Sequence, residues 1–168
     1  LDEYTRPARI VRGGRRVDVP ALSGLERVTV EGAGEMEAFF TDGLRTLLDC
    51  GVRELTEKTL RWPGHAEAVG PLAANGTLVD ALRTQCAEGA DLLALVVDVV
   101  RGRRSHRTTL VVHPRDGLTA MSRATAFTCA ATARWVLEGG VRETGVVPPE
   151  RIGADERAYG FITGALAE

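Results

Sequence analysis

No window of the sequence approaches the roughly 20 consecutive apolar residues that a membrane-spanning helix needs, and the acidic opening LDEYTR has no hydrophobic signal segment. A membrane partner is therefore not expected. Cysteine is scarce: Cys50, Cys86 and Cys129 are odd in number, far apart and in no CxxC arrangement. Such usage excludes a disulfide framework and a zinc site of ordinary spacing, and predicts buried free thiols in a cytoplasmic protein. An excess of either charge is lacking too, with 21 basic against 23 acidic residues and a formal net charge of -2. Without a global field to gather a polyanion, nucleic acid is not an expected partner. The histidines His65, His106 and His113 form no HxH or HExxH pattern, so no metal is expected, and no GxSxG elbow supports a Ser/His/Asp triad.

What is present describes a folded protein. At 168 residues, 44% hydrophobic and 26% charged, the chain is long enough to bury a core without staples, and a single domain over residues 1–168 is expected. It starts at Leu1 rather than methionine, which points to residues upstream. ARIVRGGRRVDVP predicts two short strands around Gly13-Gly14, and LERVTVEG another strand with Val28 and Val30 toward the core. TDGLRTLLDCG predicts a short helix capped by Thr41 or Asp42, with Leu44, Leu47 and Leu48 on its apolar side and Gly51 as its stop. In VRELTEKTLRW the period changes, setting Leu55, Glu57, Thr59 and Arg61 on one face of an extended segment and Thr56, Lys58, Leu60 and Trp62 on the other.

Pro63-Gly64 ends that strand, and HAEAVGPLAANG predicts a helix broken or kinked at Gly70-Pro71. Asn75-Gly76 stops it and Thr77 caps the next, with Leu78, Ala81 and Leu82 as its apolar stripe. DLLALVVDVVRGRRSHRTTLVVHP predicts a long antiparallel hairpin of the central sheet, with the basic run Arg101–Arg107 as its turn. LTAMSRATAFTCAATARWVLEGG should be the longest buried helix, with Ala124, Phe127, Ala131 and Trp135 on one face and Gly139-Gly140 closing it. VVPPERIG predicts a loop, and ADERAYGFITGALAE a last helix with Tyr159, Ile162 and Leu166 inward. Strands and helices mix without βαβ alternation, so the expected class is α+β: a mixed, largely antiparallel sheet with helices over one face.

VTVEGAGEME imitates a dinucleotide-binding loop, because a strand runs into Gly32 and Gly34. A GxGxxG pattern needs a small residue at position 37, where this chain has Glu37, and AFFTDG lacks the helix that should follow; an ordinary turn is expected. The segment from Thr41 to His65 differs in kind. Asp42 and Arg45 open one element while Lys58, Arg61 and His65 lie on or just past the next, so cations of two elements would converge at one rim and hold a carboxylate. The same spacing also suits plain surface ion pairs, Lys58 with Glu57 or Arg61 with Asp42.

FFTDGLRTL followed by EKTLRWPGHAEAV resembles the signature of the saccharopine dehydrogenase family, in the branch similar to lysine 6-dehydrogenase, whose pattern is approximately FYTDGLRTL and EKTLRYPGH. VPALSGLERV, MSRATAF and PPERIG fit the same family, so nearly the whole chain is covered. The resemblance implies a carboxy-terminal substrate and dimerisation domain, with a Rossmann domain for NAD or NADP preceding Leu1. It implies hydride transfer between the nicotinamide and an amine-bearing carbon of lysine or a lysine-derived substrate, in a homodimer. The matched residues are Asp42, Gly43, Arg45, Lys58, Thr59, Arg61, Gly64 and His65. Of these, Asp42, Arg45, Thr59 and Arg61 are expected to bind substrate, with Arg61 on its carboxylate, and Lys58 and His65 to act as acid and base near the amine. Trp62 stands where the family has tyrosine, which removes any hydroxyl-dependent role there. Two other functions fit the same residues: a non-catalytic amino-acid-binding or dimerisation module, and a related synthase of polyamine precursors.

Overall fold

The computed structural model describes residues 2–85 and 90–167. The chain divides into two compact units, Leu1–Gly89 and Ala90–Glu168. All of their strand pairings are antiparallel, and with helices in both units the class is α+β, as the irregular alternation of elements predicts.

The first unit opens with a one-turn helix, Asp2–Thr5 (α1), and a hairpin of Ala8–Arg12 (β1) and Arg15–Val19 (β2). Its turn is Gly13-Gly14, where both residues have positive φ (60° and 78°), a conformation that glycine adopts without steric cost. A three-stranded sheet follows, in the order Glu26–Val30 (β3), Gly34–Phe40 (β4), Lys58–Arg61 (β5). The glycine-rich stretch after β3 is the expected turn, and AFFTDG lacks a helix as expected: residues 38–40 complete β4, the central strand, and residues 41–43 leave it. Met36, Ala38, Glu37 and Phe39 are all buried there, so both faces of β4 are covered and the polar/apolar alternation that marks a half-exposed strand is missing.

The expected helix after Thr41 is a single 3-10 turn, Arg45–Asp49, with Leu44 at its N-cap and no side-chain cap. Thr41 and Asp42 do not cap it because both side chains are bound elsewhere. Leu44 and Leu48 turn inward onto Val11 and Leu55, whereas Leu47 is exposed. Backbone hydrogen bonds in both directions between Val11 and Leu55, each 2.9 Å, fasten the segment before β5 to β1. Of the break or kink expected at Gly70-Pro71, the break does not occur: the helix His65–Ala74 (α2) continues through both residues. Asn75 is its C-cap, and Leu78–Gln85 (α3) follows with Leu78 buried.

In the second unit Leu93–Arg101 (β6) and Arg104–Val112 (β7) pair along their whole length, from Leu93 opposite Val112 to Arg101 opposite Arg104. The hairpin is as expected, but it forms a two-stranded sheet of its own rather than part of a central one. Its turn shrinks to Gly102-Arg103, because Arg104 to Arg107 all pair in β7, and His106 is thereby a strand residue. The helix Ala120–Leu137 (α4) is the longest among the described residues. The Thr119 hydroxyl accepts a hydrogen bond from the Ser122 amide, and Asp91 accepts from the Ala120 and Met121 amides at 2.6 and 2.8 Å. Only Ala120 and Ala131 of α4 are buried, so the expectation of a buried helix fails: small residues permit close approach, and this unit supplies cover on one side only.

Where a loop was expected, Pro149–Gly153 (α5) forms a short helix with proline at its first position, where a missing N–H costs nothing. The last helix, Glu156–Ala167 (α6), buries Ala158 and sets the Phe161 ring 5.3 Å from that of Trp135, while Tyr159 is exposed rather than inward. Cys50 and Cys129 are exposed free thiols, which corrects the expectation of buried ones; Cys86 lies outside the described residues. Among the described residues no helix is long and apolar enough to cross a membrane.

Candidate functional site

The register of the β4–β5 ladder decides which side chains meet. Glu37 is opposite Arg61, Ala38 opposite Leu60, Phe39 opposite Thr59 and Phe40 opposite Lys58. Since successive residues of a strand point to opposite faces, Glu37, Phe39, Thr59 and Arg61 share one face, and Ala38, Phe40, Leu60 and Lys58 the other. The alternation expected for β5 is the one observed.

On the first face the chain turns a corner at Trp62 to Gly64 and enters α2. Gly64 has φ +93°, a left-handed conformation that explains glycine at this position. Glu37, buried at 4% exposure, accepts hydrogen bonds from the Gly64 amide at 2.8 Å and the Ala66 amide at 2.5 Å. A carboxylate of the central strand thus satisfies the open N–H groups at the start of α2 and complements its dipole. Burial pushes the Glu37 carboxyl up, but the Ala66 and Gly64 amides, helped by His65 and Arg27, outweigh it and hold the group below its ordinary range.

This corner fixes His65, the first residue of α2. Its ring stacks on Phe39, with centroids 6.3 Å apart and planes at 6°, and its Nε2 is 3.1 Å from the Tyr4 hydroxyl. Burial, then the neighbouring Arg61, lowers the His65 pKa against the opposing pull of Glu37 and Glu3, so the imidazole is neutral near pH 7. Arg61 donates from Nη2 to Glu3 Oε1 at 2.6 Å and from Nη1 to its own strand's Leu60 carbonyl at 2.9 Å. The arginine therefore already holds one carboxylate, supplied by α1. Thr59, behind it, shares a 2.8 Å hydrogen bond with Thr41, whose hydroxyl also meets the Glu57 carboxylate. Glu57 in turn accepts from the Gly43 amide at 3.1 Å.

Asp42 and Arg45 belong to a neighbouring knot. Arg9 grips Asp42 through Nε at 2.8 Å and Nη2 at 2.9 Å, with Arg45 at 3.5 Å and Arg6 at 3.9 Å. The Arg9 hydrogen bond is the main cause holding the Asp42 carboxyl below its usual range, against the upward push of burial. Arg45 sits at φ +49°, a conformation that non-glycine residues rarely adopt, and its side chain is 60% exposed.

Of the cations expected at one rim, the structure brings Arg61 and His65 together and separates Lys58 from them. Lys58, on the opposite face, donates to the Gly24 carbonyl at 2.5 Å and to Glu26 at 2.8 Å, with its ammonium 4.7 Å from the Phe40 ring centroid. The physical reason is the two-residue period of β5, which puts Lys58 and Arg61 on opposite sides. Nor do the alternative ion pairs form as read from spacing: Lys58 pairs with Glu26, Arg61 with Glu3 and Asp42 with Arg9. The residues that sequence reasoning did not find here are Glu3, Tyr4, Arg9 and Glu37. Their partners lie at least 27 positions away, beyond the reach of any local pattern.

Among the described residues no group of three or more His, Cys, Asp or Glu side chains is placed to hold a metal. The turn between β3 and β4 lacks the plan of a dinucleotide loop, since Gly34 begins a strand that runs to Phe40 where a helix would have to follow. What the arrangement offers is a guanidinium with a demonstrated carboxylate partner beside a neutral, ring-stacked imidazole, both set on one sheet face by a buried glutamate. A family model described as the saccharopine dehydrogenase C-terminal domain matches residues 1–168, and the chain belongs to that family of oxidoreductase-related domains.

Proposed function

We propose that the face carrying Arg61 and His65 binds the amino-acid substrate of an NAD- or NADP-dependent dehydrogenase, one that acts on lysine or a lysine-derived amino acid in the manner of the lysine 6-dehydrogenase branch. The observation that carries this reading is the corner built by Glu37, which sets a carboxylate-binding arginine and a neutral histidine side by side. Arg61 takes the substrate carboxylate in place of Glu3, whose pairing at 2.6 Å is the geometry such a group would adopt. His65, neutral near pH 7, accepts a proton from the substrate ammonium and leaves the free amine. Lys58 has no part in this version of the site, and proton transfer falls to His65. Arg45, exposed beside Asp42, is the second cation available to an acidic group of a larger substrate. In this reading the nicotinamide cofactor is held by a further domain, and this chain binds, orients and deprotonates the substrate.

The test uses the full-length protein with NAD or NADP and with lysine or saccharopine as substrate. Arg61→Ala should lower kcat/KM by about tenfold or more, chiefly through KM, the size expected for losing a charge-assisted hydrogen bond. An unchanged kcat/KM sinks the role given to Arg61. A second reading, a non-catalytic amino-acid-binding or dimerisation module, draws on one feature of the second unit that a dimeric enzyme would share. Leu95, Val97 and Val99, alternate residues on one face of β6, are 52%, 44% and 57% exposed, a row suited to a homodimer contact. Calorimetry separates the two: a module binds lysine without further domains, whereas a half-site does not.

A further inference from the structure

A second candidate site lies wholly within the second unit. Between α4 and α6 there is an open pocket of about 660 Å³, a size typical of small-molecule sites. Its floor is apolar and shallow-sided, with Phe127, Ala130 and Ala131 from α4 and Phe161, Gly164 and Ala165 from α6. On each helix these positions recur at helical spacing, so each contributes one continuous stripe, and the small residues create the room between them.

The charge on this lining is one-sided. Arg115, Arg123 and Arg134 reach the pocket and Asp116 is its one acid, held 3.2 Å from Arg115. Two of the guanidiniums are braced over the aromatic rings of the floor: Arg123 is 5.8 Å from the Phe127 centroid and Arg134 is 5.5 Å from that of Phe161. Arg123 gives Nη1–H to the His113 carbonyl at 2.7 Å, and Arg134 gives Nε–H to Glu138 at 2.8 Å. A guanidinium carries five N–H donors, so both retain donors for a ligand after these bonds. The turn bearing Arg115 is itself well defined, with Arg115 and Leu118 exchanging two backbone hydrogen bonds of 3.0 Å around Asp116-Gly117.

We propose that this pocket binds a small organic anion with a flat or branched apolar body: the body lies against Phe127, Phe161 and the alanine floor, and a carboxylate or similar acid group meets Arg123. The pairing follows from the lining itself, because an anion without an apolar part would leave the floor wet, and a neutral apolar molecule would leave the preplaced cation of Arg123, bonded to a neutral carbonyl, unused. All the residues concerned are other than those of the proposed amino-acid site, and the inference stands whether or not that reading holds.

The probe is 2-naphthoate, titrated calorimetrically into the chain, with 2-naphthalenemethanol as its neutral counterpart. Naphthoate should bind saturably and at least about tenfold more tightly than the alcohol, the difference a charge-assisted bond makes. Arg123→Gln should weaken naphthoate by about tenfold and leave the alcohol unchanged. Gly164→Leu gives an independent check: a Cβ added at Gly164 meets nothing within 4 Å and leucine favours a helix, so the variant should fold, with its side chain occupying the pocket that Gly164 lines. It should abolish naphthoate binding. Absence of saturable binding, equal affinity for acid and alcohol, or full affinity in Gly164→Leu would each overturn the proposal.

Discussion

At the scale of single residues, the two acidic groups Asp42 and Asp98 look alike as ion-pair partners and differ in worth. Each is gripped by two nitrogens of one arginine, Arg9 and Arg107 respectively. Asp42 is almost fully buried, at 5% side-chain exposure, and also faces Arg45 and Arg6, whereas Asp98 is half exposed on β6. Asp42→Ala should destabilise the chain by about 2 kcal/mol, since it leaves clustered arginines without their counter-charge. Asp98→Ala should not shift Tm measurably, because exposed pairs contribute little. Thermal melts of the two variants provide the comparison. His65 gives a pH signature at the same scale. Its folded-state pKa is lowered, so it stabilises the fold fully above its ordinary value of about 6.5 and loses that contribution as pH falls through the folded value. Tm should decline as pH is lowered from about 6.5, and His65→Gln should flatten that decline.

At the scale of elements, α2 begins where it does because Glu37 receives its first amides. Glu37→Ala leaves the Gly64 and Ala66 N–H groups without their acceptor and should cost about 1–3 kcal/mol, while moving Arg61 and His65 apart. In the full-length enzyme of the proposed reading, its kcat/KM would fall although Glu37 touches no substrate. Gly140→Ala is a second element-level test: an added Cβ would lie 2.3 Å from the Trp135 ring at the end of α4. Overpacking of this kind should lower stability by about 1–3 kcal/mol. Elements announced by local chemistry were legible in the sequence, among them the Gly13-Gly14 hairpin, the β6–β7 hairpin and the period of β5. Those governed by burial were not. β4 is covered on both faces and shows no alternation, the 3-10 turn is set by Leu44 and Leu48 against Val11, and α5 hides behind two prolines. At the site, the family motifs marked Arg61 and His65, but neither motifs nor spacing indicated that α1 and β4 complete their surroundings.

At the scale of the whole molecule, apolar burial is uneven. The first unit buries Ile10, Val11, Val30, Met36, Phe39, Leu44 and Leu78, whereas the second buries only Val112 and the alanines 120, 131 and 158 among its described apolar residues. Alongside Leu95, Val97 and Val99, it leaves Val100 72% and Leu137 87% exposed. Such a surface is usual for a chain that expects cover. For the proposed homodimer, Val97→Lys combined with Val99→Lys should shift the sedimentation coefficient to that of a monomer without lowering the helix content. A wild-type chain that sediments as a monomer at all concentrations would refute that assembly.

The consequence of Glu37 reaches beyond stability to how such chains are recognised. The stretch Gly32-Ala33-Gly34-Glu35-Met36-Glu37 is one residue short of a dinucleotide fingerprint, and Glu37 is the residue that spoils it. A Glu37→Gly variant would therefore match a nucleotide-binding pattern better than the natural chain does. It would also have lost the anchor of the corner on which Arg61 and His65 depend, so that its apparent gain of one function on paper would coincide with the loss of another in the protein.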